Sequence, residues 1–185
     1  VNKVLAKMPA TMDGTATTPA ADHLVEVRDG ADNLSEKDAE FFHATVAKLL
    51  FLCKRRRPDI QTAIAFLCTR VQTPSTDDQA KLSRTIKYLR KTKELVLRLR
   101  ADNLNIIKWW VDASFAVHKD MRSHTGGVMS LGTGAAYACS QKQKLNTKSS
   151  TEAELVGIDD VLPQMLWTRY FLESQGYGTN TILHE

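Results

Sequence analysis

The feature that most constrains the fold is a change of hydrophobic period along the chain. Between Ser35 and Thr92 apolar residues recur every three or four positions; after Thr92 they recur every second position. A chain of this kind builds helices first and a sheet second, so the expected class is α+β. Ser35 with Asp38 three residues later opens the first helix, which carries Phe42, Val46, Leu49, Leu50 and Cys53 on one stripe. Lys54-Arg55-Arg56-Arg57 ends it with cations that suit the negative end of the helix dipole. Pro58 fits the first position of a second helix with the stripe Ile60, Ile64, Leu67 and Val71, closed by Pro74. Thr76, Asp77 and Asp78 open a third, holding Leu82, Ile86 and Leu89.

The second half reads as strands. Leu95, Leu97 and Leu99 alternate with Val96, Arg98 and Arg100, the pattern of an edge strand with a basic face. Ile106 to Val111 reads as a buried strand ending in Asp112. Another runs from the Gly126-Gly127 turn to Leu131, and a third from Ala135 to Gln141. Ser149-Ser150-Thr151 then opens a long helix whose expected core stripe is Leu155, Ile158, Leu162 and Leu166. Pro163 should kink or break it, with a second half from Gln164 to Ser174, before a last strand at Thr181 to His184. The expected organisation is an extended leader over 1–34, a helical segment over 35–93 and a sheet domain over 94–185.

Charge is unevenly distributed. Residues 1–40 carry four basic and eight acidic side chains, residues 41–100 fourteen and four, and residues 101–185 seven and nine. The basic middle attracts phosphate backbones, with Arg55, Arg56 and Arg57 as its densest tract; solvated helix faces are the plainer reading. Lys142, Lys144 and Lys148, between a strand and the long helix, are further candidates for a backbone. No apolar run approaches a membrane span, and Cys53, Cys68 and Cys139 lie far apart, so an intracellular, reducing compartment is expected. The chain opens on Val1 and reads as a piece of a longer polypeptide. His43, His118, His124 and His184 show no metal-ligand spacing.

The residues suited to chemistry are acids. Asp112, at a strand end, sits where a carboxylate reaches a cation at the sheet rim, and a second carboxylate allows a pair of divalent ions to be held. Glu152 and Glu154, in the first turn of the long helix, both qualify as that second acid. Measured from the Leu162 direction they flank the expected stripe almost symmetrically, so periodicity leaves the choice open.

Val111-Asp112-Ala113-Ser114-Phe115-Ala116, Arg122-Ser123-His124-Thr125-Gly126-Gly127, Ser140-Gln141-Lys142-Gln143 and Ser149-Ser150-Thr151-Glu152-Ala153-Glu154-Leu155, in that order, resemble the ribonuclease H domain of copia-type retrotransposon polyproteins. Phe42 to Leu52, Arg57-Pro58-Asp59-Ile60 and Ile86-Lys87-Tyr88-Leu89 resemble the connection segment that precedes that domain, after the reverse transcriptase core. The resemblance implies a mixed sheet with helices and hydrolysis of the RNA strand of an RNA–DNA hybrid. It also implies two Mg²⁺ or Mn²⁺ ions bound by Asp112 and Glu154, the latter preferred to Glu152 by analogy with the family. The family's third carboxylate is expected directly after Glu185, which stands one position short of it. The domain is therefore expected to be incomplete and the chain as given inactive. A connection module that binds nucleic acid without chemistry, or a decayed element, are the rival expectations.

Overall fold

A computed structural model describes residues 1–184; Glu185, which stands one position short of the expected third carboxylate, lies outside the described residues. The chain divides into two units, Val1–Val96 and the part from Leu97 onward, and each is described by itself.

The first unit is helical: α1 (Asn2–Leu5), α2 (Glu36–Arg55), α3 (Gln61–Cys68) and α4 (Thr76–Lys91), with 3₁₀ turns at Ala10–Met12 and Pro58–Ile60. The Ser35 hydroxyl caps α2 by accepting the Asp38 N–H at 3.2 Å. At α4 the cap is Ser75, one residue earlier than the sequence suggested, and Asp78 completes a reciprocal capping box. Phe42, Val46, Leu49, Ile60, Ile64, Leu67, Leu82, Ile86 and Leu89 form the buried core. Val71 lies beyond the end of α3 and packs on that core from a turn.

The leader is largely irregular but fastened along its length. Met12 is buried, the Thr85 hydroxyl donates to the Pro19 carbonyl, and Arg90 pairs with Asp13 at 3.0 Å. Lys81 donates to the Glu26 carbonyl, and Asp32 and Leu34 exchange backbone hydrogen bonds with Thr76 and Pro74. Apolar residues too sparse to show a period still bury themselves one at a time.

The second unit is a four-stranded mixed sheet in the order β5 (Tyr137–Lys142), β3 (His124–Ser130), β2 (Ile106–Ser114), β6 (Asn180–His184), with β2 and β6 parallel and the other neighbours antiparallel. Helix α5 (Ser150–Ser174) packs on one face. Along β2, Ile107, Trp109, Val111 and Ala113 turn inward beneath it while Trp110, Asp112 and Ser114 turn outward. A helical segment followed by a mixed sheet with a packed helix is the α+β class the period change implies.

Four local expectations are corrected. Leu95 to Leu99 form no strand: only β1 (Arg100–Ala101) pairs, with β4 (Gly132–Thr133), and Leu95, Val96 and Leu99 are more than half exposed. Alternation without a partner strand does not make a ladder. Gly126 and Gly127 lie inside β3 rather than in a turn. A Cβ on Gly127 would stand 2.8 Å from both Cys139 Sγ and Val161 Cγ1, so glycine there permits the close approach of α5.

Helix α5 also differs. It runs unbroken through Pro163, which is exposed, because Val161 and Met165 on either side are buried and hold the axis to the sheet. Its buried stripe is Ala153, Gly157, Val161, Met165, Thr168 and Leu172, whereas Leu155, Leu162 and Leu166 face outward. Small and polar residues face the sheet because the backbones approach closely: a Cβ on Gly157 would lie 3.4 Å from that of Ala113.

Candidate functional site

The reoriented face of α5 separates the two glutamates. At about 100° per residue, Glu154 lies about 30° from the centre of the buried stripe and Glu152 about 165° from it. Glu152 serves its own helix: its carboxylate accepts the Lys148 N–H at 2.6 Å, while its N–H donates to the Ser149 hydroxyl at 3.2 Å. This is a capping arrangement at the positive end of the dipole.

The side of α5 on which Glu154 lies follows from a buried network. The Thr125 hydroxyl on β3 donates to Asp160 at 2.8 Å, and the Gln143 amide donates to Thr125 Oγ1 at 3.0 Å and to the Ala153 carbonyl at 2.9 Å. These bonds pin the first turns of α5 and mark the Asp160 flank as the one toward β3. Glu154, about 120° away around the axis, takes the opposite flank, toward β2. Among the described residues, β6 pairs with β2 from Ile106 to Trp110, and Asp112 is paired with Gly126 of β3.

Asp112 itself is exposed and points away from α5, on the face of Trp110 and Ser114. Asp112 therefore lies on the face of the sheet opposite to the one on which α5, the helix that carries Glu154, is packed. Among the described residues no group of three or more His, Cys, Asp or Glu is placed to hold a metal ion. Asp112 and Glu154 are of the chemical type that holds Mg²⁺, which takes one or two carboxylates together with waters and substrate phosphates, but the Asp112 side chain and the helix that carries Glu154 are on opposite faces of the sheet.

The face that carries Asp112 holds a feature the spacing did not reveal. His118 Nε2 lies 3.0 Å from His124 Nδ1, and His124 Nε2 lies 2.7 Å from the Ser140 hydroxyl. Both rings are buried. Ser140 and Asp112 sit opposite Gly126 from either side, so the cluster shares a row of the sheet with the acid. Burial, and then the neighbouring His118, push the His124 imidazole down to about 4. His118 is lowered by burial and by Lys142, with Asp120 opposing. Only the β2–β3 and β3–β5 registers bring these residues together; the five positions between the histidines carry no such signal.

The basic candidates divide. Arg55 and Arg56 are exposed at the end of α2, with the Arg55 guanidinium 5.4 Å from the Phe51 ring centroid. Arg57 corrects the expectation of a phosphate contact, since its side chain is 2% exposed. Its guanidinium binds both Asp59 oxygens, at 2.8 and 2.9 Å, and donates to the Thr92 carbonyl and hydroxyl at 3.0 and 2.6 Å. Lys142 is partly buried and pairs with Asp120 at 2.7 Å, while Lys144 and Lys148 are exposed. Trp110 stacks on His184 with ring centroids 5.3 Å apart, and Trp109 is core. No helix among the described residues is long and apolar enough to cross a membrane.

No family model matches the chain, and no solved structure matches it. Three curated proteins illustrate its relatives. The retrovirus-related Pol polyprotein from transposon TNT 1-94 of Nicotiana tabacum is 25% identical over 181 residues, 95% of this chain and 14% of that protein. A putative transposon Ty5-1 protein of Saccharomyces cerevisiae is 27% identical over 131 residues, 70% of this chain and 42% of that protein. The retrovirus-related Pol polyprotein from transposon RE1 of Arabidopsis thaliana is 29% identical over 140 residues, 75% of this chain and 10% of that protein. The chain thus spans less than half the length of each of these relatives. Over most of its length it is a distant homologue of copia-type retrotransposon Pol polyproteins.

Proposed function

We propose that the chain is the part of a retroelement polyprotein that joins a connection segment to a ribonuclease-H-like nuclease, acting on the RNA strand of an RNA–DNA hybrid. The observation that carries the reading is the direction of α5: its sheet-facing stripe sets Glu154, and not Glu152, on the flank toward the strand that bears Asp112. In this reading Asp112 and Glu154 would hold a divalent ion through their carboxylate oxygens. A bound Mg²⁺ or Mn²⁺ supplies activation of water and stabilisation of the leaving oxygen. Arg55, Arg56, Lys144 and Lys148 contact the phosphate backbone.

The outward direction of Asp112, away from α5, favours a second reading, in which the chain binds the hybrid without cleaving it. Cleavage of an end-labelled hybrid by the parent polyprotein in Mg²⁺ separates the two. Asp112→Asn and Glu154→Gln are expected to abolish cleavage while leaving hybrid binding in place, and Glu152→Gln to retain cleavage. Cleavage that survives Asp112→Asn rejects the nuclease assignment of these residues.

A further inference from the structure

The leucines expected in the core of α5 form instead a second apolar surface on its outer side. Leu162, Leu166 and Tyr170 follow one another at intervals of four residues, and Trp167 and Phe171 run beside them at the same interval. Their exposures are 39, 39, 61, 59 and 48%. Trp167 and Phe171 stack with centroids 5.3 Å apart and planes 6° from parallel, so the rings form a fixed surface. Each aromatic ring carries about 150–250 Å² of surface; with Leu155, which is 63% exposed, the patch presents on the order of 600 Å². That is the upper end of what a monomer exposes in one patch.

We propose that this face of α5 pairs with the same face of a second copy of the chain. Two adjacent ridges at a four-residue interval leave a groove of the same inclination between them. A helix that presents both complements itself in the commonest helix-packing class, crossing at about −50°. A symmetric contact covering about 600 Å² on each copy removes about 1,200 Å² in total, the lower bound of a standard stable interface. The composition agrees, with Trp167, Tyr170 and Phe171 supplying the aromatic side chains that interfaces favour. The Arg169–Glu173 ion pair, at 2.8 Å, lies on the rim.

The test is sedimentation equilibrium of the 185-residue chain from about 5 to 200 µM, beside the variants Leu166→Glu and Trp167→Glu. Both positions are exposed, and circular dichroism and the urea midpoint establish that each variant is folded; Tyr170→Glu replaces whichever is not. A reversible dimer in the wild type that each folded variant weakens by about tenfold or more supports the interface. A wild type monomeric throughout that range, or a dimer indifferent to the substitutions, overturns it.

Discussion

His118 Nε2 and His124 Nδ1 face each other at 3.0 Å inside the second unit, and the one proton between them ties the β2–β3 connection to the sheet. Doubly protonated rings cannot share that bond, and burial already disfavours charge on either. The folded His124 value of about 4 lies below the ordinary 6.5, so its contribution to stability is complete above about 6.5 and is lost as the pH falls toward 4. Urea unfolding followed by Trp fluorescence at pH 7.5 and pH 4.5 should show destabilisation in acid, on the order of 2–3 kcal/mol from this group. His124→Asn should flatten that window. A pH profile unchanged by the substitution removes the pair from the account.

Arg57 gives the complementary case in the first unit. Asp59 is raised by desolvation but held below its usual value by the Arg57 and Tyr88 hydrogen bonds, so its contribution is present above the ordinary carboxylate range and fails below it. Arg57→Ala removes the Arg57 bonds to Asp59 and Thr92, leaving the Asp59 carboxylate with the Tyr88 hydroxyl and the Thr92 carbonyl with the Leu95 N–H, and should cost about 2–4 kcal/mol. Arg57→Lys should recover less than half of that, because an ammonium cannot reproduce the two-pronged pair. Thermal unfolding of the two variants measures both quantities.

The helices of the first unit were legible because caps and stripes agree there: Ser35 with Asp38 and Phe42 to Cys53 all point to one helix. Helix α5 was read with the wrong face inward because its sheet side is made of Ala153, Gly157 and Thr168, which a search for large apolar residues passes over. The apparent tie between Glu152 and Glu154 came from that rotation and vanishes with it. A charge run does not disclose burial, so Arg57 looked like its exposed neighbours although Asp59 stands two residues on. The histidine pair needed a strand register, which no local pattern supplies.

Two substitutions test the seating of α5. Pro163 withholds one backbone hydrogen bond in an otherwise continuous helix, and its position is exposed. Pro163→Ala should therefore stabilise the second unit by about 1–3 kcal/mol. Gly127→Ala should act oppositely, since its methyl group would press on Cys139 and on the β-branched Val161, at a cost of about 1–3 kcal/mol. Chemical denaturation of both variants checks the signs; a Gly127→Ala variant as stable as the wild type would mean that α5 lies further from β3 than the structure shows.

The division of the basic residues into exposed and committed predicts how hybrid binding responds to salt. Each cation that neutralises a phosphate releases a counterion and adds about 0.9 to the slope of log K against log salt. Arg55 and Arg56 are exposed, so the double alanine variant should lower that slope by about 1.8 while leaving the unfolding midpoint nearly unchanged. Arg57 is buried in its pair with Asp59, so Arg57→Ala should shift stability and leave the slope of the folded fraction as it was. Lys142, held by Asp120, should contribute less than Lys144 or Lys148. Fluorescence anisotropy with a labelled hybrid from 50 to 300 mM salt measures all of these. Equal slopes for the wild type and the Arg55–Arg56 double variant would assign those arginines to the end of α2 alone, and a slope change in Arg57→Ala with unaltered stability would reverse the division.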